Sequence, residues 1–298
     1  RRRFYLILWN IYKYFVDYSL LENISVIDKK APSPKNVLDR WILSRYSNVQ
    51  NSVNINLKNY DARSATALIE SLVTDISTWF IRRSRSRLWL NSDNKVDKQS
   101  FYATFYFILK NLSIILSPFT PFIAEEIYTN LTKNKSVHLA DWPDLKKEFI
   151  DDTLEKDMSL VRNIVEKGHA SRKEENLALR QPLSSATIYL STNISKEQGP
   201  ELKKMIEDEL NVKKITLKKG ETLDVVLDTK LTKDLLEEGE ARKIIRMIQS
   251  ERKKLGANPE DYVNVYLTDW PVKFEKVIKE KALIRKLIKA KEFKVSKV

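Results

Sequence analysis

Apolar residues recur at three- and four-residue spacing through the first half of the chain, as amphipathic helices require. Phe4, Leu8, Ile11 and Phe15 place one helix over about Arg1 to Tyr18, ended by the loop containing Pro32 and Pro34. Leu38, Trp41 and Ile42 open a second near Val37 that runs to about Asn56. Asp61 is positioned to cap a third, which the stripe Leu68, Ile69, Leu72, Val73, Ile76, Trp79 and Phe80 carries on to Leu90 and the polar turn Asn91-Ser92-Asp93-Asn94. A fourth covers about Asp97 to Leu116 and stops at Ser117-Pro118. Thr120-Pro121 then offers a cap and a first-turn proline for a fifth helix, ending near Leu131. Residues 1–135 are expected to form a helical bundle, followed at 136–150 by a connection through Trp142-Pro143.

Beyond this connection the pattern changes. An amphipathic helix over about Asp152 to Lys173, striped by Leu154, Met158, Val161 and Val165, precedes short β-branched or aromatic runs. These runs, at Ala186 to Leu190, Val212 to Leu217, Leu223 to Leu227 and Tyr262 to Leu267, predict strands. Helices are expected between them at about Glu201 to Leu210 and Leu231 to Leu255, the latter capped by Thr232 and stopped by Gly256 before Asn258-Pro259. The fold class is mainly α: a helical bundle followed by a smaller α/β or α+β domain over residues 151–298. Its Lys-rich tail from Lys273 predicts a surface helix in preference to a membrane-surface element.

Composition narrows the function. Lys and Arg total 53 against 40 Asp and Glu, a formal charge of +13 and a pI near 9.5, which favours a polyanionic partner, nucleic acid ahead of an acidic membrane. Charges interrupt every apolar run before the roughly 18 residues that a membrane span needs. With no cysteine, disulfides, thiol nucleophiles and thiolate zinc sites are excluded, and no secretory signal opens the chain, so a cytoplasmic address is expected. His138 and His169 fall in no nucleophile or metal-ligand spacing and are expected to be structural. The five glycines stand singly, so no loop can present the clustered amides that cradle a phosphate, and no cofactor is expected within this chain.

The segment WFIRRSRSRLW, from Trp79 to Trp89, sets four arginines between two tryptophans. At 100° per residue Arg83 and Arg87 continue the face of Leu72, Ile76 and Phe80, whereas Arg82 and Arg85 flank that face or point outward. Two readings stand side by side. The arginines pair with carboxylates on neighbouring helices, or they form a phosphate-binding edge on which an aromatic stacks a base. On the helix from Asp152, His169 and Arg172 extend the stripe toward Arg180-Gln181-Pro182-Leu183, and Gly168 permits a close approach or simple packing. Arg242 and Arg246 belong to a basic cluster on the long helix after Thr232 that a solvated face would also explain. Glu125 and Glu126 lie in the first turns of a helix, where the macrodipole accounts for them.

Together these motifs resemble the isoleucyl-tRNA synthetase family, specifically its archaeal and eukaryotic branch. The resemblance rests on LDRWILSR from Leu38, WFIRRSRSRLW from Trp79, SPFTPFIAEEIY from Ser117, SVHLADWPD from Ser136, RQPL from Arg180, ELNVK from Glu209 and EGEARKIIRMIQSERKKLG from Glu238. DRWILSR is shared with valyl-tRNA synthetases, so the other segments discriminate. Ser86 departs from the pattern where relatives often carry arginine. The resemblance implies an anticodon-binding bundle to about Leu131, then the family's C-terminal extension. It implies tRNA(Ile) as partner and Trp79, Arg82, Arg83, Arg85, Arg87, Trp89, Arg172, Arg180, Gln181, Arg242 and Arg246 as its contacts. Signatures resembling HIGH and KMSKS do not occur, nor does an editing domain, so no catalytic residue is expected here. ATP and magnesium are implied for a catalytic domain elsewhere in the same polypeptide. The alternatives are the equivalent region of a valyl enzyme and a free-standing helical RNA-binding or scaffold protein. Because Arg1 opens within a helical pattern without an initiator Met, a fragment of a larger synthetase is the expectation.

Overall fold

In the computed structural model, which describes residues 2–22, 24, 32–85, 87–88, 94–192, 194–195, 197–258 and 260–298, helices form where the apolar stripes place them. The chain divides into two compact units, Arg1–Met158 and Ser159–Val298.

The first unit is the helical bundle. Helix α1 (Arg2–Leu21) buries Leu8, Ile11 and Phe15. Helix α2 (Val37–Lys58), capped by the Asn36 side chain, buries Trp41, Ile42, Val49 and Val53. Helix α3 (Ala62–Asp75) starts at the expected cap, Asp61, whose carboxylate accepts from the Ser64 amide. It then passes without a break into a π-helical turn at Ile76–Ile81 and a last turn, α4 (Arg82–Ser84). Helix α5 (Lys95–Leu116) buries Phe101, Phe105, Leu109 and Leu112, and α6 (Pro121–Thr132) follows it. Thr120 does not cap α6 as expected; its hydroxyl hydrogen-bonds back to the Leu116 carbonyl. Phe15, Phe80, Phe101 and Phe105 meet at the centre, with Phe80 and Phe101 stacked at 4.8 Å and Phe15 edge-on to Phe105 at 5.2 Å. Each such ring contributes roughly 1.5–3 kcal/mol by burial. The connection after α6 is held from within the bundle: Glu125 accepts from the Val137 amide at 2.7 Å and Trp142 donates to Asn54 at 2.8 Å. Glu125 therefore caps a loop, a role beyond the dipole argument.

Helix α7 (Asp152–Glu174) spans the division between the units. In the second unit β1 (Leu183–Leu190), α8 (Gly199–Leu210), β2 (Val212–Lys219) and β3 (Asp224–Leu227) form one three-stranded sheet, ordered β2-β1-β3. Helix α9 (Lys233–Lys254), capped as expected by Thr232, leads to β4 (Val263–Leu267), α10 (Glu275–Ala282), β5 (Ile284–Lys289) and β6 (Lys294–Lys297), ordered β5-β4-β6. Here the expected helical tail is corrected. After the short α10 the Lys-rich segment is two strands, which complete a second sheet. Ile284, Leu287 and Val295 are too sparse among lysines to announce strands; pairing with the buried β4 makes them so.

The two sheets have one topology. In each the central strand pairs in parallel with the strand after the small helix and antiparallel with the last. The details repeat as well. Arg172 on α7 donates to the carbonyls of Ala178 and Gln181, six and nine residues on. Arg252 on α9 donates to those of Asn258 and Asp261, at the same separations. Asn211 and Leu283, each between small helix and strand, are left-handed at φ 53° and 51°. Their carbonyls accept from the first amides of β1 and β4, at 3.0 Å in both cases. A left-handed leucine is costly where asparagine is tolerated; the shared junction imposes it.

Arg172 is 1 % exposed and also bonds the carbonyls of Leu210 and Asn211, so one guanidinium satisfies four backbone acceptors. Each acceptor left unsatisfied costs about 1–3 kcal/mol. Arg172→Met is expected to lower stability to urea by at least ~3 kcal/mol; a loss below ~1 kcal/mol would show that water replaces the guanidinium.

Candidate nucleic-acid interface

Why the arginine segment points as it does follows from the π turn. A turn closed five residues apart holds one residue more than an α turn, so every side chain after it is rotated relative to a straight helix. The buried stripe beyond Ile76 runs through Phe80, Ile81, Ser84 and Leu88. Arg83 and Arg87, which the straight wheel puts on that stripe, are displaced to its margins and half-buried, while Arg82 and Arg85 are exposed. Trp79 is half-buried, and the Arg82 guanidinium lies 5.7 Å from its ring centroid while Nε donates to the Thr78 carbonyl. Trp89 and Ser86 lie outside the described residues.

Arg87 has its partners inside the bundle. One terminal nitrogen donates to Asp39 near the start of α2, the other to Asp97 in the first turn of α5 at 2.9 Å. Asp39 is fully buried and takes a further bond from Ser100 at 3.4 Å. Burial pushes its carboxyl up to about 6, against the downward pull of Arg87. Beside this pair, buried Lys98 bonds both oxygens of Glu22 at 3.0 Å. Farther along, Arg45 bonds Asp75 at 3.0 Å and Ser71 at 3.1 Å. For Arg87, then, the carboxylate reading holds. Asp39 was missed in the sequence; the signal that could have found it is an acid in LDRWILSR on the apolar face of Ile42 and Leu43, which a buried cation would have to meet.

The remaining expected residues lie in the second unit, where Arg172 and Arg242 meet at Asn211. Its carbonyl accepts from Arg172, its side-chain oxygen from Arg242, and its amide donates to the Leu179 carbonyl at 3.1 Å. Arg242 also bonds Glu238 at 2.7 Å, and Glu238 meets Lys213 at 2.6 Å. Gln181 donates to the Leu235 and Pro182 carbonyls. A Cβ at Gly239 would sit 2.4 Å from its side-chain oxygen, so this glycine lets the loop meet α9. Likewise a Cβ at Gly168 would lie 2.3 Å from Leu210, the packing explanation of that glycine. Arg180 and Arg246 are exposed. The His169 Nε2 lies 3.2 Å from the Glu209 carbonyl, which can only accept from it. Among the described residues no His, Asp and Glu cluster could hold a metal ion, and no helix is long and apolar enough to cross a membrane.

Comparison with known proteins identifies the family of the chain. Residues 39–188 match the family described as the anticodon-binding domain of tRNA ligase, and the chain belongs to that family. Its relatives are isoleucine–tRNA ligases. That of Dehalococcoides mccartyi strain CBDB1 is 36% identical over 285 residues, 89% of this chain and 28% of the relative. That of strain ATCC BAA-2266 is 34% identical over 97% of this chain and 31% of the relative. The Deinococcus radiodurans protein is 38% identical over 72% and 20%. The chain thus spans about three-tenths or less of the length of these relatives.

Two outcomes test the locked end. Arg87→Ala leaves Asp39 buried without its cation and is expected to cost roughly 3–5 kcal/mol in chemical unfolding; a cost below ~1 kcal/mol would reject the lock. Because the folded-state value of Asp39 lies above the ordinary 3.8, the folded chain holds a proton that the unfolded chain has released between about pH 4 and 6. That stabilisation is complete below pH 4 and is lost as pH rises through 6. Relative to Asp39→Asn, the wild type should therefore lose on the order of 2–3 kcal/mol between pH 4 and 7. A constant difference across that range would contradict the assignment.

Proposed function

We propose that this chain binds and positions tRNA(Ile) as the anticodon-binding and C-terminal part of an isoleucine–tRNA ligase. One observation carries the residue assignment: Arg82 and Arg85 stand exposed on a turn whose neighbour Arg87 is clamped to Asp39 and Asp97. The clamp fixes the backbone, so two guanidinium forks are presented without the cost of ordering a loop. Trp79, under Arg82, adds an aromatic edge on which an unpaired base can stack. Arg83, Arg180 and Arg246 are proposed as further phosphate contacts, and Arg242 as one once tRNA competes with Glu238. Arg87, Arg172 and the Gln181 amide are assigned to structure, since each is at least half-buried and bonded to groups from elsewhere in the fold. Isoleucine activation, and the ATP and magnesium it uses, are proposed for the rest of the parent enzyme, in the cytoplasm.

The test is tRNA binding by the purified chain across a range of salt. Log affinity is expected to fall linearly with log salt, by a slope of about 0.7–0.9 per phosphate neutralised, with several phosphates engaged. Arg82→Ala and Arg85→Ala should each reduce that slope by about one and leave the melting temperature unchanged. A flat salt response, or variants that bind as the wild type does, would mean that the +13 charge is only a solvated surface.

A further inference from the structure

The two sheets of the second unit each bury one face and leave the other open. In the first, Ala186, Ile188, Ile215 and Val225 face the core. The opposite face carries Thr187 and Tyr189 on the central strand, flanked by Lys214 and Lys218 on β2, and no residue of this group is buried. In the second, Val263, Val265, Leu267 and Val295 face the core. Asn264 and Tyr266 lie on the open face, flanked by Lys286 on β5 and Lys294 on β6, again with none buried.

The tyrosines occupy equivalent positions. Tyr189 precedes Leu190, whose carbonyl accepts from the Gly220 amide just after β2. Tyr266 precedes Leu267, whose carbonyl accepts from the Ala290 amide just after β5. In register Tyr189 lies beside Lys218, and Tyr266 beside Lys294. The Oδ1 of Asn264, two residues before Tyr266, is itself buried and has no hydrogen-bond partner among the described residues, so it offers nothing to a ligand on this face. The two faces differ in one neighbour: on the antiparallel side Tyr189 lies beside Asp224, which Lys167 approaches at 3.7 Å, where Tyr266 lies beside Lys294, and on the parallel side Tyr266 lies beside Ile288, where Tyr189 lies beside Lys218.

A ring on the central strand of a sheet face, with a lysine beside it on one adjoining strand and a second lysine farther along the face, suits a flat, anionic polymer. The rings can meet only bases that are not already stacked in a helix, and the ammonium groups meet the phosphates between them. An apolar protein partner would find these faces too charged. We propose that the two faces are equivalent stacking platforms for unpaired RNA nucleotides, Tyr189 and Tyr266 each receiving a base and Lys214, Lys218, Lys286 and Lys294 the flanking phosphates. The proposal shares with the proposed function only the class of partner.

The probe is a single-stranded RNA dodecamer without self-complementarity, titrated against the full chain in parallel with tRNA. The wild type is expected to bind the dodecamer. Tyr189→Ala and Tyr266→Ala should each weaken that binding about tenfold, with Tyr→Phe at either position within about twofold of wild type because the ring remains. Lys218→Gln and Lys294→Gln should each lower the salt slope by about 0.7. Alanine variants that bind the dodecamer as the wild type does, phenylalanine variants as weak as alanine, or an unchanged salt slope in the lysine variants would each overturn the proposal. Should an alanine variant melt early, the phenylalanine and lysine variants still decide. A chain that binds tRNA but not the dodecamer overturns the platforms and leaves the proposed function standing; the converse overturns the proposed function alone.

Discussion

The first unit turns on one ion pair, that of Asp39 with Arg87. A carboxylate with no exposed surface cannot stay in a helical core without a hydrogen-bonded cation, because its desolvation outweighs any packing gain. Arg87 supplies that cation and shares it with Asp97, which ties the starts of α2 and α5 to the end of the arginine segment. Arg82 and Arg85, on the turn before Arg87, are exposed, and Arg83 is half-buried.

The second unit solves a different problem, ending strands and helices in little space. A buried arginine in each half gathers the carbonyls of the turn after its helix, six and nine residues on. Such a centre is rigid because several donors of the planar guanidinium, four at Arg172 and two at Arg252, are committed to backbone carbonyls. Along β1 and β4 the side chains alternate between buried and partly exposed, so that one sheet face is dry and the other open. The basic residues of the edge strands β2 and β5 also hinder edge-to-edge pairing with other chains.

The helices were legible because their stripes are long and period-specific, and Asp61 and Thr232 were legible as caps because their side chains have no better use there. The phase of the arginines was not. A π turn at Ile76–Ile81 leaves no mark on the apolar spacing before it, and a straight wheel carried past it sets Arg83 and Arg87 one place wrong. Strands β5 and β6 were hidden for another reason. Their lysines obey an edge-strand constraint that reads as a solvated helix when the partner strand is unknown. The internal repeat was likewise veiled, since its two halves share backbone geometry and the buried arginine more than they share sequence.

Arginine-selective labelling with phenylglyoxal, mapped residue by residue in the free chain and in its complex with tRNA, tests the division of labour among the arginines most directly. Arg82 and Arg85 are predicted to react in the free chain and to be protected by tRNA, with Arg87 and Arg172 unreactive in both. Free reaction of Arg87 that tRNA suppresses, or Arg82 and Arg85 equally reactive with and without tRNA, would contradict the account.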